Sequence, residues 1–348
     1  MSPLLTIAIP TYNRCALLKK TLSVFEEYLS QTDFFLEIVV VDDASTDSTL
    51  NDLSTATFCN FNFRYVRNKK NIGLEHNLIN ACRHASGDYL WLFGDDDYLV
   101  SKASFDDLLR EMHFGTASLY VLNRIRTDIN HSKILSKDWM EISGTPDRPY
   151  TGLREFFRDW GFLSVVGFIS VNVFKREAFL ESFDDRYFGT MYPQLGMLAS
   201  AFADCSVILK TTPTVCQRTL TADEKAEAFK TKEKEGLFMS DVRKRNAVYF
   251  GLPFIRMFNM LAARGALPYR EINRLTEFTV CNGRLVDFVA SNVCTYLELG
   301  ETLTSNQAQE LGHFLQIKDI FLKIFHRLFE TNLAYLKYWI PFFETFYF

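Results

Sequence analysis

Hydrophobic and polar positions over the first 115 residues alternate between the period of a strand and the period of a helix. Short apolar runs rich in β-branched and aromatic residues predict four strands, at residues 4–9, 36–41, 63–67 and 89–93. We expect Pro10 to end the first of these. A helix is predicted next, from apolar side chains at helical spacing at Leu18, Leu22, Phe25 and Leu29. The alternation predicts an α/β fold with a mostly parallel sheet.

The pattern changes beyond residue 115. Strands are still predicted, at residues 118–122, 165–174, 207–209 and 214–217. Longer irregular segments separate them. From about residue 241 the helical period dominates. We therefore predict three regions, 1–115, 116–240 and 241–348.

Acidic residues follow two of the predicted strands directly. Asp42 and Asp43 end the second strand, and Asp95, Asp96 and Asp97 follow the fourth. Open α/β sheets bind ligands at the carboxyl ends of their strands. Three adjacent carboxylates are costly to bury unless a cation or hydrogen-bond donors neutralise them, and Mg²⁺ and Mn²⁺ prefer oxygen ligands. A helix cap would explain one aspartate without any metal.

Composition excludes several classes of protein. The formal net charge of −4 argues against a nucleic-acid binder, which normally carries a basic excess. Seven scattered cysteines lack metal-ligand spacing and are odd in number, so we expect reduced thiols in the cytoplasm. No apolar run is long enough to span a bilayer. The 33 phenylalanines are more than a core of this size requires.

Three segments together resemble the nucleotide-binding half of GT-A glycosyltransferases, in particular family 2. They are IAIPTYNR (7–14), IVVVDDASTDST (38–49) and RNKKNIGLEHNLINACRHASGDYLWLFGDDD (67–97). The resemblance implies a nucleotide-sugar donor above the sheet edge, with the loop Pro10, Thr11, Tyr12 and Arg14 around base and ribose. It also implies that Asp42 or Asp43 binds the base and that Asn71 and Gly73 shape the floor of the nucleotide site. Asp95, Asp96 and Asp97 are implied to hold a divalent metal, Mn²⁺ or Mg²⁺, on the diphosphate.

The chain departs from the usual family pattern at the metal site. The common pattern is D-x-D-D, and Gly94 stands where the first aspartate is expected. Asp96 and Asp97 match the last two acids, with Asp95 at the x position. A carboxylate-held divalent cation would still neutralise a diphosphate leaving group as a Lewis acid.

Further segments resemble O-antigen glycosyltransferases of the abequosyltransferase type. They are VGFISVNVFKREAF (166–179), FDDRYFGTMYPQL (183–195) and TPTVCQR (212–218). This resemblance implies transfer of a dideoxyhexose such as abequose from a CDP-sugar to a polyprenyl-diphosphate-linked oligosaccharide. Two alternatives stay open: an inverting UDP- or dTDP-hexose transferase of another surface polysaccharide, and a non-catalytic nucleotide- or carbohydrate-binding module.

The general base is not evident from the sequence. An inverting family 2 enzyme usually has an acidic pair where this chain has Tyr192 and Pro193, with Gln194 next. Either an acid such as Asp184 or Asp185 serves, or the enzyme retains configuration and the leaving phosphate takes the proton. Tyr192 and Gln194 are then candidates to hydrogen-bond a sugar, and Arg218 is a candidate to bind donor phosphate.

The C-terminal region combines basic and apolar side chains. Residues 243–274 hold seven arginines and lysines against one acid, which suits either an interfacial helix on an anionic membrane or a helical subdomain with its aromatic residues inside. An amphipathic helix is predicted over residues 313–338, for contact with lipid, the catalytic domain or a second subunit. These features predict a cytoplasmic protein, peripheral on the inner face of a bacterial inner membrane, and allow a homo-oligomer through the C-terminal helices.

Overall fold

The computed structural model describes residues 2–30, 32–220, 242–277, 283–299 and 303–315. The chain divides into two compact units. The first unit comprises Met1–Phe156, Val165–Phe183 and Ala201–Glu227. The second comprises Phe157–Ser164, Asp184–Ser200 and Ala228–Phe348. The predicted boundaries at residues 115 and 240 stay predictions, as does most of the amphipathic helix predicted at 313–338, which lies outside the described residues.

The first unit is built on one mixed sheet. Its strands are β1 (Leu5–Thr11), β2 (Leu36–Asp42), β3 (Asn62–Arg67), β4 (Tyr89–Leu92), β5 (Tyr98–Leu99), β6 (Leu119–Thr127), β7 (Ile134–Ser136), β8 (Arg148–Tyr150), β9 (Asn172–Lys175) and β10 (Val207–Arg218). The order is β3-β2-β1-β4-β9-β6-β10-β5, with β7 paired to β6 and β8 to β10. Neighbours among β1–β4 run parallel, as do β6 and β10, whereas β9 is antiparallel to both β4 and β6. The α/β prediction with a mostly parallel sheet is confirmed.

The helices from the N-terminus to Ala201 are α1 (Cys15–Leu29), α2 (Thr49–Leu53), α3 (Leu74–His84), α4 (Lys102–Phe114), α5 (Leu153–Trp160), α6 (Arg176–Glu181) and α7 (Pro193–Ala201). Every residue of β1, β2 and β4 is buried, as their continuous apolar runs predict. Helix α1 buries the predicted apolar face, and its Phe25 ring meets Phe93 edge-on at 5.1 Å between centroids. This core fixes the loops at the carboxyl ends of β1 and β4.

Two strand predictions were wrong. Strand β1 continues through Pro10 to Thr11. Proline lacks the backbone N–H, which at position 10 would point towards β4, and the pairing between β1 and β4 already ends at Ala8. Pro10 therefore removes no hydrogen bond of the sheet. The apolar run at 165–174 is mainly a buried loop with a 3-10 turn, and only its end belongs to β9. The side chain of Asn172 donates hydrogen bonds to the carbonyls of Val166 and Phe168, which stabilise the buried loop without a strand partner.

The second unit is mainly helical. It adds α8 (Val242–Phe250), α9 (Leu252–Ala263), α10 (Tyr269–Ile272), α11 (Leu285–Glu298) and α12 (Ser305–Leu315), with a short antiparallel pair β11 (Thr276–Glu277) and β12 (Gly283–Arg284). Phe254 and Phe258 on α9 are fully buried, and the Phe258 ring lies 6.0 Å from that of Phe314 and 5.4 Å from that of Phe162. The aromatic residues of the basic stretch therefore pack inward. In the described part of the chain, no helix has both the length and the apolarity to cross a membrane.

Candidate active site

Three consecutive carboxylates lie in the loop that follows β4, at the carboxyl edge of the parallel strands. Asp95 and Asp97 are buried, whereas the side chain of Asp96 is 21% exposed. A Cβ atom added to the preceding residue, Gly94, would lie 2.7 Å from Asp97 Oδ2. Glycine at the position where D-x-D-D has its first aspartate thus leaves room for the Asp97 carboxylate.

Two arginines from distant parts of the chain neutralise these acids in part. Arg14 Nη1 lies 2.9 Å from Asp95 Oδ1 and 3.0 Å from Asp96 Oδ2. Arg218 Nη1 lies 2.9 Å from the same Asp96 oxygen, and the Arg218 backbone N–H donates to Asp97 Oδ1. The structure therefore brings the predicted nucleotide-loop residue Arg14 and the predicted phosphate ligand Arg218 onto the predicted metal acids.

Hydroxyl groups complete the surroundings of the two buried acids. Thr11 Oγ1 donates to Asp95 Oδ2 at 2.8 Å, and Ser170 Oγ donates to Asp97 Oδ2 at 2.5 Å. The same Ser170 oxygen accepts the backbone N–H of Gly94. Burial raises the pKa of Asp97 to about 8, with a smaller contribution from Asp96. Burial also raises the pKa of Asp95, against the opposing effect of Arg14. These raised pKa values favour the protonated acids as long as no further cation is bound.

This donor set fits a hard divalent cation, because it offers carboxylate oxygens from adjacent residues, and three acids face two arginines. A second acidic cluster in the first unit consists of Asp107, Glu111 and Asp147. Lys210 Nζ lies at its centre, 2.9, 2.6 and 2.5 Å from the three carboxylates. A buried lysine thus already supplies the cation in that cluster, which makes Asp95–Asp97 the better metal candidate.

The loop between β1 and α1 is held against the loop after β2. Asn13 has a positive φ of 53°, and its Oδ1 accepts the backbone N–H of Thr46 at 2.7 Å. The Asn13 N–H donates to Ser45 Oγ. Tyr12, the residue predicted to stack on a base, is partly exposed on this loop. These bonds fix the predicted nucleotide loop, including Pro10 and Thr11, at the sheet edge.

Asp42 and Asp43 are both buried and already hydrogen-bonded within the protein. Asp42 accepts hydrogen bonds from the Ser45 N–H, the Tyr65 hydroxyl and the Arg67 guanidinium, at 2.8, 2.5 and 2.6 Å. Asp43 accepts hydrogen bonds from the Asn68 side chain and from the backbone N–H groups of Ile72 and Gly73. Their contact with a base stays a prediction.

Asn71 and Gly73 form the turn that meets Asp43. Gly73 has a φ of 86°, a conformation that favours glycine, and its N–H donates to Asn71 Oδ1 at 2.9 Å as well as to Asp43. Helix α3 begins directly after this turn. The predicted floor residues therefore sit beside a buried carboxylate, and their role in shaping the floor of the nucleotide site stays a prediction.

The predicted acceptor-side residues lie in the second unit. Asp184 pairs with Arg186 at 2.6 Å and with Arg264 at 2.7 Å, and the hydrogen bond to Arg186 is the main reason that its pKa falls to about 2. A carboxylate with so low a pKa is a weak proton acceptor at neutral pH. Asp185 is exposed, Gln194 is buried, and the ring of Tyr192 lies 6.0 Å from that of Phe250. Which of these residues has a catalytic role stays a prediction.

Two residues that touch the acidic loop were missed by the sequence analysis. Ser170 is 73 positions from Asp97 along the chain. His131 stacks on Tyr98 with 4.0 Å between ring centroids, and its Nε2 lies 3.2 Å from the Asp96 carbonyl oxygen. Both contacts depend on strands that pair at long range, so local periodicity cannot reveal them.

The profile of Glycosyl transferase family 2 matches residues 6–181. The chain belongs to this family. The matched range includes the loop after β1, both aspartates that end β2, and the acids Asp95–Asp97. The predicted family resemblance is thereby confirmed, and family membership places the chain among the glycosyltransferases.

Two curated relatives indicate the kinds of family 2 enzyme to which the chain is similar. Abequosyltransferase RfbV of Salmonella typhimurium is 29% identical over 211 residues, which cover 57% of this chain and 61% of that protein. A GalNAc(5)-diNAcBac-PP-undecaprenol beta-1,3-glucosyltransferase of Campylobacter jejuni is 30% identical over 141 residues, 40% of this chain and 44% of that protein. The chain thus spans less than two thirds of either relative.

Solved structures support the fold. The chain is similar to S. aureus TarS in complex with UDP-GlcNAc, with a TM-score of 0.53 at 16% identity over 90% of this chain and 80% of that one. For TarS in complex with UDP the TM-score is 0.50 at 14% identity, over 86% and 93% of the two chains. The GT-A prediction is confirmed.

The family match ends before five of the predicted site residues. Asp184, Asp185, Tyr192, Gln194 and Arg218 all lie beyond residue 181. Their assignment rests on the narrower resemblance and, for Arg218, on its contact with Asp96.

Proposed function

We propose that the protein is a nucleotide-sugar-dependent glycosyltransferase that transfers a sugar to a lipid-linked oligosaccharide. The observation that carries this proposal is the cluster of Asp95, Asp96 and Asp97 with Arg14 and Thr11, at the carboxyl edge of β1 and β4 and inside the family 2 match. Ligands of open α/β sheets bind at such an edge.

In this proposal the loop from Pro10 to Arg14 binds base and ribose, with Tyr12 against the base and Asp42 or Asp43 near its polar edge. Asn71 and Gly73 shape the floor. Asp95, Asp96 and Asp97 would hold Mn²⁺ or Mg²⁺, which neutralises the charge of the diphosphate leaving group when bound. Arg14 and Arg218 limit the repulsion among these acids and orient Asp96.

The finer proposal is transfer of a dideoxyhexose such as abequose from a CDP-sugar to a lipid-linked O-antigen oligosaccharide. The similarity to abequosyltransferase RfbV supports it. The low pKa of Asp184 also fits a retaining reaction, in which the leaving phosphate takes the acceptor proton. The second candidate is an inverting UDP- or dTDP-hexose transferase, which the similarity to the Campylobacter jejuni glucosyltransferase favours. That reaction requires a base, for which Asp185 is then the remaining candidate in its segment.

We further propose that the protein acts as a peripheral protein on the cytoplasmic face of a bacterial inner membrane, where a polyprenyl-diphosphate acceptor is anchored. The name of the Campylobacter jejuni relative includes such a lipid, an undecaprenol. Residues 313–348 are the segment proposed to contact lipid, the catalytic domain or a second copy. Removal of residues 313–348 should abolish co-flotation with anionic liposomes, and undiminished flotation would exclude this segment as the membrane contact.

Donor identity is tested by thermal-shift measurements with CDP-, UDP-, dTDP- and GDP-sugars in the presence of Mn²⁺. A donor that binds the folded state raises its melting temperature by mass action. The donor that does so is then offered with a polyprenyl-diphosphate oligosaccharide, and sugar transfer is measured. Binding without transfer or hydrolysis of any donor would favour the non-catalytic binding module over the enzyme.

A further inference from the structure

In the described part of the chain, a buried arginine at the same sheet edge carries a guanidinium N–H without a hydrogen-bond partner. Arg124, near the carboxyl end of β6, is only 4% exposed. Its Nε donates to Gln217 Oε1 at 2.9 Å, which orients the guanidinium. Its Nη1 is inaccessible to solvent and forms no hydrogen bond with any residue that the structure describes. A buried cation without a counter-ion is costly, which makes Arg124 a candidate for binding an anion.

Two aromatic rings enclose this guanidinium. The Arg124 Cζ atom lies 3.8 Å from the centroid of the Trp139 ring and 4.7 Å from that of Phe168. The backbone N–H of Trp139 donates to the Arg124 carbonyl, which holds this residue beside the arginine. Cation–π contacts stabilise a cation without neutralising it. Within the described ranges no carboxylate lies at ion-pair distance from Arg124, and burial lowers its pKa to about 9.

Arg124 lies one strand residue away from a direct contact with the acidic loop, through its hydrogen bond to Gln217 beside Arg218. Strand β6 is paired with β10. Gln217 on β10 accepts the hydrogen bond from Arg124, and the next residue, Arg218, contacts Asp96 and Asp97. The Asp97 carboxylate is near enough for its charge to favour the protonated form of Arg124. The Arg124 guanidinium thus lies within electrostatic range of the acids proposed to hold the metal and the diphosphate.

We propose that Arg124 binds an oxygen of the donor's diphosphate through Nη1. This inference rests on the proposed function. The proposal follows from charge and shape. A buried guanidinium without a counter-ion attracts an anion, and its planar set of N–H groups matches the geometry of phosphate oxygens. Because Nη1 is closed to solvent, the indole of Trp139 or the ring of Phe168 shifts when the diphosphate enters, and Trp139 reports that shift.

The test measures affinity and fluorescence on the full chain with Mg²⁺. The probes are CDP, UDP, dTDP, GDP and inorganic diphosphate, titrated by calorimetry and by tryptophan fluorescence. Arg124→Gln and Arg124→Lys are compared with Arg110→Gln, which removes an exposed arginine on α4. Trp139→Phe identifies the part of the fluorescence change that comes from this indole.

We expect Arg124→Gln to bind the preferred nucleoside diphosphate about 10- to 100-fold more weakly, the loss typical of one charge-assisted hydrogen bond. Arg124→Lys should recover part of this affinity, and Arg110→Gln should match the wild type. The melting temperature of ligand-free Arg124→Gln should equal or exceed that of the wild type, because an unneutralised buried charge is removed. A purely structural arginine would instead lower the melting temperature and leave the affinity intact.

The outcomes separate this inference from the proposed function. If the wild type binds a nucleoside diphosphate and Arg124→Gln binds it equally well, the inference is overturned and the proposed function stands. If neither the four nucleoside diphosphates nor inorganic diphosphate binds the wild type, both are overturned. A fluorescence change that persists undiminished in Trp139→Phe overturns the movement of the indole.

Discussion

Arg14 donates a 2.9 Å hydrogen bond to Asp95, although 81 positions separate them along the chain. Strands β1 and β4 are parallel neighbours, with Ala8 opposite Leu92, so the loops that follow them leave the same sheet edge. The ion pair therefore ties the loop proposed to bind the nucleotide to the acids proposed to hold the metal. It makes this edge one electrostatic unit.

The first prediction concerns the most exposed of the three acids. Asp96→Asn should lower donor turnover by about 10²- to 10³-fold, because it removes a carboxylate ligand of the proposed cation. Steady-state assays at several Mn²⁺ concentrations measure the loss, and thermal denaturation verifies folding. Asp106→Asn is the matched control, since Asp106 pairs with Lys102 on α4. Full turnover in Asp96→Asn would exclude Asp96 from the metal site.

Much of the fold and the location of the site follow from local sequence patterns. The buried strands β1, β2 and β4 are continuous apolar runs, and the acids that follow β2 and β4 mark the ligand edge of the sheet. These features need only neighbouring residues in the chain. The family motifs add the order of the donor, metal and acceptor regions.

The partners of those acids could not be predicted in the same way. Arg218 is 122 positions from Asp96, and their contact follows from the antiparallel pairing of β10 with β5, in which Cys216 lies opposite Tyr98. The buried loop at 165–174 has the composition of a strand, but Asn172 satisfies its carbonyls instead. Apolar composition reports burial, and long-range pairing decides the conformation.

The second prediction concerns the buried carboxylate at the end of β2. Arg67→Met should destabilise the fold by about 2–3 kcal/mol, because it leaves Asp42 with one fewer cationic partner in a buried position. Tyr65→Phe removes a neutral donor from the same carboxylate and should cost about 1 kcal/mol. Urea denaturation of the two variants measures both values. Equal losses would show that the charge of Arg67 contributes nothing beyond its hydrogen bond.

The third prediction concerns the glycine in the acidic loop. Gly94→Ala should destabilise the ligand-free protein by about 1–3 kcal/mol, since its Cβ would lie 2.7 Å from Asp97 Oδ2. In an Asp97→Ala background the same change should cost less than about 0.5 kcal/mol, because the contacting carboxylate is gone. Denaturant unfolding of the four proteins completes the double-mutant cycle. Additive costs would mean that Gly94 is required for a reason other than room for Asp97.

The last prediction uses the pH dependence of stability at Asp184. Its folded pKa of about 2 lies below the ordinary value of 3.8, so the pairing with Arg186 and Arg264 stabilises the fold above about pH 4. This contribution should disappear as the pH falls from about 4 through about 2, where the folded state must also take up the proton. Asp184→Asn should therefore be less stable than the wild type by about 1 kcal/mol at pH 7, a value that is small because Arg186 is exposed to solvent. The unfolding free energies of the two proteins should converge near pH 2. Urea denaturation at pH 7, 5, 4 and 3 measures the difference, with Asp185→Asn as the control for loss of a neighbouring exposed charge. A difference that stays constant across this range would contradict ionisation of Asp184 as its cause.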